Sequence, residues 1–171
     1  MATHFLSLPV FVWHPTSDIA SWQTGERQVK QSTASVPSPR WIEWLFDADT
    51  DEFIVTSFIV PNNYVGTPVL RIFYKCTTAT SGTAAFEVRV QAVSPGDATD
   101  VDADAYDTVN TGTDVVPGTV GYLDIVNVTL SNADSMAAGD LVTMGVNRDI
   151  SADSVAQDIE VVGFAFVYND A

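Results

Sequence analysis

From Trp41 onward, hydrophobic residues recur at every second position, and this period constrains the chain more than any other feature. In "AFEVRVQA", Phe86, Val88 and Val90 share one side while Glu87, Arg89 and Gln91 share the other. An extended backbone sends successive side chains to opposite faces, whereas a helix would mix the two sets around its circumference. "LRIFYKC" repeats the pattern, with Leu70, Ile72, Tyr74 and Cys76 opposed to Arg71 and Lys75, and "LVTMGVNR" groups Val142, Met144 and Val146. "WIEWLF", "FIVTSFIV", "DIVNVTL" and "IEVVGFAFVY" complete seven strand candidates rich in β-branched and aromatic residues.

Turn chemistry separates these runs: "PNNYVGTP", "TSGT", "SPGD", "NTGTD", "VPGTVG" and "AAGD". Only "NADSMAAGD" is expected to make a helical turn, with Asn132 or Asp134 as its cap and Gly139 as its stop. No segment holds a 3.6-residue period for three turns, and no internal repeat is present. The expected fold is all-β, a two-sheet jelly-roll-like β-sandwich rather than a single barrel.

Residues 1–40 differ in character and read as an extended N-terminal arm, with the sandwich domain spanning 41–171. Short apolar bursts alternate with polar turns, and the segment ends in the Ser/Pro-rich linker "QSTASVPSPR". "HFLSLPVFVWH" can supply an eighth strand, which Pro9 confines to a sheet edge. Trp13 and Trp22 need cover that this segment cannot provide alone, so the arm lies either on its own domain or on a neighbouring subunit. The final run poses the matching question. Val161, Ala165 and Val167 alternate with Val162, Phe164, Phe166 and Tyr168, leaving no polar face for water. Either the arm or another chain covers it.

Charge narrows the function classes. The 171 residues carry 22 acids against 7 bases, a net charge of −15, and beyond Val93 the only base is Arg148. Such a surface repels phosphate backbones and anionic lipids, so neither nucleic acid nor membrane is the expected partner. No apolar run approaches the roughly 20 residues of a membrane span, and "MATHFLSLPVFVWHP" lacks the basic leader of a secretory signal. The expectation is a soluble protein made without a signal-peptide route. The lone Cys76 lies in an apolar strand pattern and reads as a packing thiol.

The sharpest chemical signal is "PGDATDVDADAYD", from Pro95 to Asp107. Asp100, Asp102 and Asp104 begin like a calcium loop, but Ala105 stands where an EF-hand needs glycine and Thr111 where it needs a bidentate glutamate. A looser Ca²⁺ site using Asp97, Asp100, Asp102, Asp104 or Asp107 is the weaker candidate beside a solvated acidic loop, and no other cofactor is expected. A second acidic turn holds Asp47, Asp49, Asp51 and Glu52. Glu43 and Glu87 are the carboxylates embedded in strands, and both read as surface groups rather than an acid–base pair. There is no Gly-x-Ser-x-Gly, no glycine-rich phosphate loop, and no metal-like spacing between His4 and His14, so no enzyme and no small-molecule substrate is expected. Trp41 and Trp44 fall on opposite strand faces, so one of them is exposed or covered; an exposed indole can stack on a sugar ring.

Three stretches carry a family resemblance: "FIVPNNYVGTPVLRIFYKCTTATSGTAAFEVRVQAV", "VPGTVGYLDIVNVTLSNADSMAAGDLVTMGVNRD" and "VVGFAFVY". From Trp41 to Tyr168 the chain resembles jelly-roll virion structural proteins of tailed phages, of the head decoration (cement) type. The resemblance implies a virion protein assembled in the host cytoplasm, acting as a homo-oligomer, a trimer foremost, on the major capsid protein. It supplies no catalytic residues. The arm, through Phe5, Leu8, Val10, Phe11, Trp13 and Trp22, is the expected interface, with Arg27, Lys30 and Arg40 meeting acidic capsid surface. The alternative is a carbohydrate- or receptor-binding β-sandwich module of a tail fibre or tailspike.

Overall fold

The computed structural model describes residues 1–16 and 23–170. Twelve strands form among the described residues: β1 (Thr3–Leu8), β2 (His14–Thr16), β3 (Gln23–Thr24), β4 (Glu26–Gln31), β5 (Arg40–Phe46), β6 (Glu52–Ile59), β7 (Tyr64–Lys75), β8 (Thr83–Val93), β9 (Asn110–Val115), β10 (Asp124–Thr129), β11 (Leu141–Arg148) and β12 (Ile159–Asp170). The first sheet runs β10-β7-β12-β5-β4, and β1 continues the β5 edge along the second half of β12. The second runs β2-β6-β11-β8-β9, with β3 added parallel to β6. The chain is thus the all-β, two-sheet jelly-roll-like sandwich that its periodicity predicts.

Alternation fills the space between the sheets. Leu70, Ile72 and Tyr74 of β7 and Val161, Phe164 and Phe166 of β12 meet Val88 and Val90 of β8 and Val142, Met144 and Val146 of β11, all buried. Each large apolar side chain so buried contributes about 1.5–3 kcal/mol. On the outside of the second sheet the far end of the Phe53 ring covers Gly145, where an added Cβ would meet Cζ at 2.1 Å. A side chain there would displace Phe53.

The arm's described strands pair with the sandwich itself. β1 pairs with β12 from Thr3–Asn169 to Leu8–Phe164, β2 with β6, and β4 with β5. β1 stops just before Pro9, as a missing backbone donor requires. A 3-10 turn at Val10–Val12 then drops Trp13 into the core against Phe164, with ring centroids 4.2 Å apart. The two-sided apolarity of β12 follows. It is a central strand, and on its outer face Arg71 from β7 reaches over to the Phe5 ring of β1, guanidinium carbon to centroid 5.1 Å, above Ala165 and Val167.

The predicted helical turn in "NADSMAAGD" does not form. Asp134 and Ser135 take left-handed backbone, φ 53° and 57°, and the Asp134 carboxylate accepts the Ala92 N–H at 2.8 Å. The side-chain bond to a neighbouring strand competes with the helix.

Glu52 departs from its expected place in a solvated turn. It opens β6, is 7% exposed, and accepts the Asp47 N–H at 2.7 Å. Burial, reinforced by the nearby charges of Asp47, Asp158 and Glu26, pushes its carboxyl up to about 7 against the hydrogen bond from Asp47. The folded state therefore holds this proton more tightly than the unfolded chain, and stability falls as pH rises from about 4.5 to 7. Glu52→Gln, which keeps the acceptor and drops the charge, should gain on the order of 2 kcal/mol at pH 8 and little at pH 4. Urea denaturation of both proteins across that range checks this, and parallel curves would refute it.

Candidate ligand-binding face

β5 splits its side chains cleanly. Trp44 and Phe46 enter the core, where the Trp44 indole N–H donates to the Val10 carbonyl at 3.0 Å. Trp41 and Glu43 go to the outer face of the first sheet, so the two tryptophans do take opposite sides. Trp41 is half-buried there, and its Nε1 donates to Glu43 Oε2 at 2.7 Å.

Glu43 is not a surface residue. It is fully buried, with Lys75 Nζ 3.0 Å from Oε2 and Lys30 Nζ 3.8 Å from Oε1. Lys75 also lies 3.7 Å from Glu160 Oε2, and the Thr77 hydroxyl donates to Glu160 Oε1 at 2.8 Å. The Lys75 ammonium sits 5.8 Å from the Trp41 ring centroid. Three adjacent strands, β5, β12 and β7, thus set a Glu43–Lys75–Glu160 cluster into the sheet face beneath the indole. Period-two reading sets Lys75 opposite the apolar side of its strand, but it cannot foresee the register shift after Val161 that leaves Glu160 on the outer face, nor show that these groups bury one another. The available signal was a charged residue within the apolar run of each of the three strands, Glu43 in mid-strand and Lys75 and Glu160 near the ends of theirs.

Two depressions meet at Trp41. One, of about 510 Å³, is floored by Phe73, Val162, Gly163 and Ala165 and walled by Pro9 and Phe11. The register shift between Val161 and Gly163 turns both Val162 and Gly163 toward it. The other, of about 350 Å³, is polar, lined by Lys30, Ser32, Thr33, Lys75 and Thr77 beside the indole. A flat aromatic therefore stands between an apolar trough and a set of hydrogen-bonding groups.

The residues expected at an interface scatter. Leu8, Val10 and Trp13 are buried in the chain's own core, because β1 and the turn after it complete the sandwich, so they offer nothing to another subunit. Phe5 and Phe11 are each 60% exposed, and Phe11 walls the apolar trough. Arg27 stacks over Trp44 at 6.0 Å, Lys30 lines the polar depression, and Arg40 is exposed at the start of β5. Trp22 lies outside the described residues.

The aspartate loop folds over the outer face of the second sheet, away from this site. Gln91 Nε2 donates to the Val101 and Asp104 carbonyls, and Tyr106 packs edge-on against Phe53. Its carboxylates cap local backbone: Asp100 accepts the Asp102 N–H, Asp104 that of Ala105, and Asp107 those of Thr108 and Asp134. These bonds hold the Asp107 carboxyl below the usual range. Asp97 and Asp102 are exposed. Among the described residues, no three His, Cys, Asp or Glu side chains are placed to hold a metal ion.

Glu87 pairs with Arg89 at 2.9 Å on that same sheet face. His4 and His14 lie in different sheets; His4 Nε2 sits 3.0 Å from Asp170 Oδ2 and stacks on Tyr168, tying β1 to the end of β12. Cys76 is buried, and burial pushes its thiol up to about 11, as suits packing.

No protein-family model matches the chain, and no curated protein matches it. Among solved structures, it is similar to part of the arabinose-bound MgGH51 α-L-arabinofuranosidase (TM-score 0.50, 16% identity, 92% of this chain and 23% of that one). It is also similar to part of the Clostridium thermocellum xylanase 10B CBM22-1–GH10 modules complexed with xylohexaose (TM-score 0.50, 8% identity, 94% and 27%). The family 11 carbohydrate-binding module of Clostridium thermocellum follows (TM-score 0.49, 6% identity, 97% and 96%). The chain spans about a quarter of the length of the first two. Likeness at these identities is one of fold. For the first two it bears out the sandwich fold expected from the sequence, and neither of those two is a virion protein.

Proposed function

We propose that this chain is a non-catalytic carbohydrate-binding module that holds glycans on the outer face of its first sheet. The observation that carries the reading is Trp41, half-exposed between an apolar trough and a polar depression, with its N–H fixed on a buried carboxylate. A sugar ring has apolar C–H faces and a hydroxyl rim, so it requires a flat aromatic beside mixed donors and acceptors. Trp41 supplies the first, and Lys30, Ser32, Thr33 and Thr77 the second. Glu43 and Lys75 hold the indole before ligand arrives, which lowers the ordering cost of binding. The work is binding rather than turnover, because the two carboxylates nearest Trp41, Glu43 and Glu160, are buried beneath Lys75 instead of flanking an open cleft.

This reading favours the glycan-binding alternative over shell cementing. The cementing role needs the arm's apolar side chains for a neighbour, and three of them are committed to the chain's own core. The module can serve in a tail fibre, as the phage resemblance implies, or in another assembly. Trp41→Ala should raise Kd for a bound polysaccharide by about 30-fold or more; because it also takes the indole N–H from the buried Glu43 it should cost about 1–3 kcal/mol of stability, and melting curves confirm that the variant is still folded at the temperature of the binding measurement. Affinity electrophoresis through gels containing soluble polysaccharides, followed by calorimetry, makes the measurement. A wild-type protein that binds none of the panel, yet sediments as a trimer and joins capsid shells, would return the reading to cementing.

A further inference from the structure

The chain's few bases are distributed unevenly. Of seven, only Arg89 and Arg148 lie in the second sheet, and both are ion-paired, with Glu87 and Asp153. Arg27, Lys30, Arg40, Arg71 and Lys75 all lie on β4, β5 and β7 of the first sheet. On its outer face Lys75 is neutralised by Glu43 and Glu160, and Lys30 reaches Glu43 only at 3.8 Å. Arg71 differs. Although the sequence holds 22 acids, no carboxylate among the described residues pairs with its guanidinium, which rests on the Phe5 ring at 5.1 Å. Arg71 stands directly across from Ala165, which floors the apolar trough, and two residues along β7 from Phe73, which shares that floor.

Resting guanidinium on an aromatic ring fixes its plane and leaves its N–H edges for a partner. The partner geometry that a guanidinium matches best is a planar carboxylate, bound bidentately. From the polar depression with Lys30, past Trp41 and Phe73, to Arg71, cationic groups flank both ends of one stacking surface. Resting on the glycan-binding reading, we infer that the ligand of this face is an acidic polysaccharide of the polyuronate class, with Arg71 taking a sugar carboxylate beyond the trough. The net charge of −15 does not oppose this at close range, since exposed charges more than about 8 Å away are screened at physiological salt.

The test compares a polyuronate (polygalacturonate, then alginate), a neutral xylan or galactan, and a sulfated dextran by calorimetry in about 0.15 M salt. The inference expects the polyuronate to bind at least about tenfold tighter than the neutral polymers, and Arg71→Gln to remove that preference while neutral binding stays as it was. Arg71→Lys should restore little of it, since a point charge lacks the fork. Phe5→Ala, which leaves the charge but removes its support, should weaken polyuronate binding by a smaller factor; melting curves of all variants confirm folding. Tightest binding to a neutral or sulfated polymer, or an Arg71→Gln protein that binds polyuronate like the wild type, overturns this inference and leaves glycan binding in place. Binding to no polymer overturns both.

Discussion

Replacing Arg148 by methionine is expected to lower stability by about 3–5 kcal/mol, the loss typical when one member of a buried ion pair is removed. In a domain of this size that corresponds to a fall in melting temperature of roughly 10 °C. Arg148 is fully buried at the end of β11. Its Nε and Nη2 donate to Asp153 at 3.0 and 2.8 Å, and Nη1 donates to the carbonyls of Phe46, Asp47 and Gln157. Nη2 also serves the Val155 carbonyl. One side chain thus joins the β5–β6 turn to the loop that leads into β12. Methionine fills much of the volume but leaves Asp153 charged and buried and several carbonyls without donors. Lysine should recover less than half of the loss, because one ammonium cannot address carbonyls spread around a planar fork. Urea melts of the three proteins decide the matter. A lysine variant as stable as the wild type would mean that charge alone matters and the fork does not.

Arg148 shows how far the sequence could be read. Its strand was legible, since Val142, Met144 and Val146 alternate cleanly before it. Its partners were not: Asp153, Val155 and Gln157 lie in the loop just after it, with no pattern to show that the loop folds back on the guanidinium, and Phe46 and Asp47 arrive from the end of β5 only once the sheets have stacked. The same division runs through the fold. The seven apolar runs all became strands, β5 to β8 and β10 to β12, because burying one face requires the period of two. β4 ("ERQVKQ") and β9 ("NTGTDV") went unseen because edge strands bury little and so need few apolar residues. The odd spacing of Trp41 and Trp44 put one indole on the outer face without saying which; the structure buries Trp44 and leaves Trp41 outside. Glu43 was misread for a physical reason: strand alternation assigns a face but not its cover. Lys75 and Glu160, which bury it, come from strands far along the chain. The arm was misread likewise, since Leu8, Val10 and Trp13 look surplus until β12 is seen to leave an edge for β1.

Lys75→Met is expected to cost a similar 3–5 kcal/mol near neutral pH, with a signature that Arg148→Met lacks. The variant leaves Glu43 and Glu160 buried on adjacent strands with their shared ammonium gone; Glu43 keeps only the Trp41 N–H and a distant Lys30, and Glu160 only the Thr77 hydroxyl. Two buried carboxylates left without a counter-charge repel each other, so the loss should be relieved by neutralising them rather than by restoring volume. Adding Glu43→Gln and Glu160→Gln removes the stranded charges and should recover most of the loss, because neutral replacements of a buried ion cluster are often no less stable. Recovery of stability should not bring recovery of binding. With Glu43 and Lys75 gone, nothing charged holds the Trp41 indole between its two depressions, and the triple variant should stay folded while its polysaccharide Kd remains several-fold weaker than that of the wild type. Full binding in a stable triple variant would make the cluster a matter of packing alone. Weak binding would mean that the buried charges are kept to aim the ring.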